Sequence, residues 1–115
     1  MKNLDAYKRA HLLTLSVYKA TEMFPKSEMF GLVSQMRRAA TSINSNLCEG
    51  GARNTNGEYK QFIGIAQGSA AELEYQIILS KDLGFISVEE SEKLISEALQ
   101  VLKMLIGLSK SITMG

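Results

Sequence analysis

The sequence predicts an all-α fold, an antiparallel up-down-up-down four-helix bundle, on three observations. A single proline in 115 residues leaves long stretches in which nothing interrupts a helix. Apolar residues recur at spacings of three and four in four separate segments, the period of an amphipathic helix. The breaks between segments are short, which makes consecutive helices antiparallel neighbours. No alternating strand pattern, internal repeat or low-complexity segment occurs. The whole chain, 1–115, reads as one domain with helices over about 5–23, 29–49, 56–83 and 88–112.

The first helix carries Leu4, Tyr7, His11, Leu15 and Tyr18 on one line, and this line is the expected core stripe. It ends near Phe24, because the residue before Pro25 resists the α region. The second helix takes Leu32, Met36, Ala39, Ala40, Ile43 and Leu47 as its stripe. Gly50 opens a polar run, GGARNTNG, that separates the halves of the chain. The third helix begins with a capping box, Thr55 to Glu58, and buries Tyr59, Phe62, Ile63, Ala66, Ala70, Leu73 and Ile77. Gly84 stands where a left-handed C-cap favours glycine, with Phe85 placed for the accompanying apolar contact. The fourth helix opens on a second capping box, Ser87 to Glu90, with acid in its first turns where the helix dipole favours it. Its stripe is Ile95, Ala98, Leu102, Ile106 and Ser109, within a wider arc that takes in Leu94, Leu99, Val101, Leu105 and Leu108.

A bundle helix needs an apolar arc of somewhat over ~100°, and two helices exceed it. The arc of the fourth covers about half its circumference. The third carries a second stripe opposite its core: Gly64, Gly68, Ala71, Tyr75 and Ile78, spaced four, three, four, three. That is a heptad seam whose first members are small, so a further helix can approach closely. A helix apolar on both faces is covered on both faces, and contiguous apolar patches of this kind mark interfaces. The expected partner is another copy of the chain.

Composition narrows the function classes. The net charge is +1, well short of the basic balance of a dedicated nucleic-acid binder. It hides a gradient: residues 1–60 hold nine Lys/Arg and five Asp/Glu, residues 61–115 four and seven. Such a distribution steers an anionic partner to one side. The one cysteine, Cys48, excludes a disulfide framework and a cysteine-based zinc site and fits a reducing compartment. Charges interrupt the N-terminal stretch where a signal peptide needs an apolar run, and no apolar stretch reaches ~18 residues. A soluble, cytoplasmic protein with no membrane association is expected.

Few constellations carry chemistry. Arg38, Ser42, Ser45 and Glu49 line one face of the second helix, flanked by Gln35 and Asn46. Short hydroxyls and amides form fixed hydrogen bonds at little entropic cost. The face reads as an interhelical polar seam with Arg38 held by Glu49 or Glu72, or else as a surface for phosphate or another subunit. Lys8, Arg9, Arg37, Arg53 and Lys60 surround the glycine loop in sequence and are the candidate nucleic-acid contacts. His11 is the only histidine and reads as a packed or interface residue. No Glu-x-x-His occurs for a carboxylate-bridged metal pair, and no Gly-Lys-Ser/Thr follows Gly50-Gly51 to make a P-loop. A ribonuclease-type Arg-to-His spacing is missing, since Thr41 to Asn44 occupy those positions. His11 stands far from Cys48 in sequence, so no Cys–His nucleophile is suggested. The expectation is a non-enzymatic protein with no metal and no cofactor.

The order Phe24-Pro25, Glu28, Gly31-Leu32, Gln35, Arg37-Arg38-Ala39, Ser42-Ile43, Asn46, Glu49-Gly50, then Tyr59, Phe62, Ile65-Ala66, Gly68-Ser69, Glu72-Leu73 and Leu83-Gly84 resembles the signature of bacterial four-helix-bundle proteins. These include the proteins encoded in intervening sequences of the 23S ribosomal RNA gene. They are related to the accessory variability determinant of diversity-generating retroelements. The resemblance covers nearly the whole chain. It implies a four-helix-bundle protomer and a ring of five, and, from that relative, binding of nucleic acid or an RNA-associated protein through a basic surface. Arg38, Ser42, Asn46, Glu49, Gly50, Gly68, Ser69 and Glu72 are the matched positions that read as a packing signature. The competing reading is a protein-binding scaffold or accessory subunit without nucleic-acid affinity.

Overall fold

A computed structural model describes residues 4–112. Four helices run α1 Leu4–Thr21, α2 Ser34–Gly51, α3 Asn56–Asp82 and α4 Val88–Ser111, and the described residues hold no strand. Packing follows the order of the chain around a square: α1 on α2, α2 on α3, α3 on α4, and α4 back on α1. The bundle is elongated, 48 × 24 × 18 Å.

The caps form as the sequence requires. Thr55 Oγ1 accepts from the Glu58 amide at 3.1 Å, and Ser87 Oγ from the Glu90 amide at 3.0 Å. Gly84 has φ 81°. Around it the Phe85 amide donates to the Ser80 carbonyl and the Gly84 amide to the Lys81 carbonyl, both at 2.9 Å. This is a Schellman stop. Phe85 then meets Phe24, ring centroids 5.4 Å apart, so the α3–α4 connection is clasped to the α1–α2 connection at one end of the bundle.

The start of the second helix departs from expectation. Regular α-helix begins at Ser34, not near Met29. Lys26–Glu28 form a 3₁₀ turn and Met29–Val33 a wide π-type turn, broken at Gly31 with φ −109° and ψ −108°. Glu28 accepts from the Leu32 amide across the break. The kink leaves Phe30 96% exposed.

Except at the start of α3, where Tyr59 and Phe62 are only half-buried, the core stripes of α2 and α3 lie where their spacing places them, with Met36, Ala40, Ile43, Leu47, Ile63, Ala66, Leu73 and Ile77 all fully buried. Burying each such large side chain stabilises the fold by roughly 1.5–3 kcal/mol. The stripe of α1 is corrected. Ala6, Ala10, Leu13 and Val17 face the core, while Leu4, Tyr7, His11, Leu15 and Tyr18 face outward. The inner line joins two alanines to Leu13 and Val17, and the bulkier apolar line is left outside. On α4 the core takes Leu94, Ala98, Val101, Leu105 and Leu108. Ile95, Leu102 and Ser109 are only half-buried and Ile106 is exposed. The apolar arc of α4 is so wide that spacing alone does not locate its centre.

Candidate functional site

The polar face of α2 meets α3 through short side chains. Ser42 donates to Ser69 Oγ, which donates to the Ile65 carbonyl at 3.2 Å, and Asn46 Nδ2 donates to the Ser42 carbonyl at 2.7 Å. Gly50 lets the two helices close at their shared end. A Cβ there would lie 2.8 Å from Phe62 Cβ and 3.0 Å from Tyr59 Cδ1. Burial of Tyr59 in this contact raises its phenol pKa above the ordinary 10.0. Gly68 is different: a Cβ on it meets nothing within 4 Å, so it serves no packing inside the protomer.

The arginines exchange the roles expected of them. Arg37, not Arg38, is held. Its Nε donates to Thr21 Oγ1 at 2.9 Å, its Nη2 donates to the Tyr18 carbonyl, and its guanidinium lies 4.5 Å from the Tyr18 ring centroid. Arg38 is exposed and makes neither of the ion pairs expected of it. Glu49 pairs instead with Arg53 at 2.9 Å, one helical turn on, and Arg53 also lies over Phe62. Glu72 accepts from Gln76 Nε2 at 3.1 Å. The two arginines are 100° apart on the helix, and the chain end of α1 decides which one finds a partner.

The five candidate nucleic-acid contacts do not form one patch. Lys8 and Arg9 lie on the first half of α1, level with the C-terminal half of α2, as the bond from Asn44 Nδ2 to the Tyr7 carbonyl shows. Arg53 and Lys60 lie at the end of α2 and the start of α3, in the same half of the bundle. Arg37 lies in the other half, beside Tyr18. The antiparallel course also brings in Lys103 and Lys110 from α4, which the acid-rich second half of the sequence conceals. Divided at the helix midpoints, the glycine-loop half holds Lys8, Arg9, Arg53, Lys60, Lys103 and Lys110 against Asp5, Glu49 and Glu58, a net of +3 among the described residues. The opposite half holds six Lys/Arg and nine Asp/Glu, a net of −3. The charge gradient runs along the bundle axis.

The second seam of α3 is uncovered. Gly64, Gly68, Ala71, Tyr75 and Ile78 are all exposed, Tyr75 at 62%. Phe62, Ser69 and Ser80 turn toward α2, which leaves the seam on the α4 side, where Leu99 and Ile106 extend it. Within the outer stripe of α1, Leu15 lines a hollow with Glu97 of α4, while Tyr7, His11 and Tyr18 border α2. There a shallow groove is lined by Tyr7, His11, Thr41, Asn44, Ser45 and Cys48, so the lone histidine and the lone cysteine share one groove despite their distance in sequence. Among the described residues no group of three or more His, Cys, Asp or Glu is placed to hold a metal ion, and no helix is long and apolar enough to cross a membrane.

The profile of the 23S rRNA-intervening sequence proteins matches residues 2–107 of the chain. The fold is similar to the crystal structure of a protein of unknown function from the S23 ribosomal protein family of Bacteroides thetaiotaomicron VPI-5482. The TM-score is 0.87 at 21% identity, over 96% of this chain and 100% of that one. No curated protein matches the sequence.

Proposed function

Because the chain belongs to the 23S rRNA-intervening sequence protein family, we propose that it is a non-enzymatic cytoplasmic protein that assembles with copies of itself and binds RNA through the glycine-loop end of the bundle. The observation that carries the RNA reading is the separation of charge along the bundle axis. Lys8, Arg9 and Lys60 stand at the positive end with no ion-pair partner among the described residues, and Lys103 and Lys110 of α4 add to them. One protomer offers a small site. A ring with parallel bundle axes, five-membered by the family resemblance, repeats that site around one rim, and weak repeated sites gain avidity on a single long strand. The uncovered seam of α3 supports the assembly.

Such binding is insensitive to sequence and falls with salt, because each phosphate contact releases counterions. Gel-shift titrations with single-stranded and structured RNA between ~50 and ~200 mM salt measure it. Lys8→Glu together with Lys60→Glu weakens binding and lowers the salt slope on single strands by about 1.4, at ~0.7 per contact. Lys81→Glu with Lys93→Glu, at the acidic end, leaves it unchanged. The absence of a shift at ~50 mM salt leaves the scaffold reading, which is favoured by the tie of Arg53 to Glu49.

A further inference from the structure

Two unpartnered faces lie on opposite sides of the protomer, and they match. The contact order α1–α2–α3–α4 places the α1–α2 side opposite the α3–α4 side. The first carries Tyr7, His11 and Tyr18 of the bulky α1 line, joined at its upper end by Phe30, which lines the same hollow as Tyr18 and Arg37; at Leu15 the line reaches the other flank of α1, where that residue shares a hollow with Glu97 of α4. The second carries Gly64, Gly68, Ala71, Tyr75 and Ile78, whose first three members form a floor without side-chain bulk.

The two lines are also level. Asn44 bonds the Tyr7 carbonyl and Ser42 bonds Ser69, so Tyr7 stands near the height of Gly68. Arg37 bonds the Tyr18 carbonyl and Met36 receives the Ser80 hydroxyl, so Tyr18 stands near the height of Ile78. Each line runs over 14 residue steps, from 4 to 18 and from 64 to 78, about 21 Å of helix. Because α1 and α3 run in the same direction, the lines match without sliding one bundle along the other.

We propose that the outer stripe of α1 on one copy seats on the glycine-floored seam of α3 on the next, with bundle axes parallel. The occupant of each face is a second copy of this chain. The two surfaces differ, so the contact is heterologous and propagates, closing into a ring where each step carries a closing rotation and running on as an open filament where it does not; a two-fold pairing would set bulk on bulk and floor on floor. This inference rests on the self-association proposed above and adds which faces meet and in what register.

The test uses the full chain in a Cys48→Ser background with a short bismaleimide. Tyr18→Cys combined with Ile78→Cys gives a ladder of covalent multimers on a denaturing gel, and so does Tyr7→Cys with Gly68→Cys. Each single variant stays monomeric on the gel, and the out-of-register pair Leu4→Cys with Ile78→Cys gives no ladder. Two results overturn the inference: dimers from the single variants, which means like faces meet, or an oligomer by light scattering with no ladder from either in-register pair. A wild-type mass near 12.7 kDa by light scattering at micromolar concentration overturns the self-association reading as well.

Discussion

Gly50 and Gly68 face opposite sides of α3, and their surroundings have nothing in common. On the α2 side, Gly50 is pressed against Phe62 and Tyr59, and any side chain enters a space already filled. On the other side, Gly68 opens onto nothing within 4 Å. The first glycine is explained by the fold that contains it. The second is left unexplained by that fold, and its small size becomes useful only when something outside the protomer approaches. One helix thus has a finished interface and an unfinished one, and stability measurements separate the two.

The largest effect is expected at the closed side. Gly50→Ala forces its new methyl into Phe62, and overpacking of this kind costs about 1–3 kcal/mol. Thermal unfolding followed by circular dichroism shows it as a clear fall in melting temperature; an unchanged midpoint means that the α2–α3 contact is looser than described. The open side responds with the opposite sign. Gly68→Ala in dilute solution raises protomer stability by up to ~1 kcal/mol, the helix-propensity difference, since no neighbour resists the methyl. A fall in midpoint there places a covering group on the seam within the protomer. The smallest effect concerns Tyr59, beneath Gly50. Its folded pKa is raised by burial. The associated stability is therefore present below pH 10.0 and lost as pH rises above it. Tyr59→Phe flattens that alkaline decline, which urea titrations at pH 9 and 11 compare.

Much of this division was legible in residue spacing. The inner stripes of α2 and α3 follow from their periods, and so does the seam of α3. The inner face of α1 does not. Its two lines are equally regular, and the outer one holds the larger apolar residues, so hydrophobicity points to the wrong face. Which of the two lines turns inward is set by tertiary packing, and it is the one with Ala6 and Ala10. The same holds for Arg37 and Arg38, adjacent in sequence and separated in role by where Tyr18 and Thr21 fall. The charge gradient was visible but assigned to the wrong axis. Counting along the chain divides it into halves, whereas an up-down course folds each half over both ends.

The clasp between Phe24 and Phe85 has a consequence for how the chain reaches its native pairing. Helices α1 and α2 form one hairpin and α3 and α4 another, and residues 52–55 alone connect them. Between the hairpins, the contact of Gly50 with Phe62 and the bond from Ser42 to Ser69 oppose a slip in the glycine-loop half and the middle of the bundle, and the aromatic pair opposes it at the far end. A slip of one turn, 5.4 Å, would part rings whose centroids are 5.4 Å apart and break the only aromatic pair formed at that end among the described residues. The two phenylalanines therefore act as a register pin. They make alignment of the hairpins an all-or-none event, and they hold fixed the height at which α1 and α3 present their outer faces.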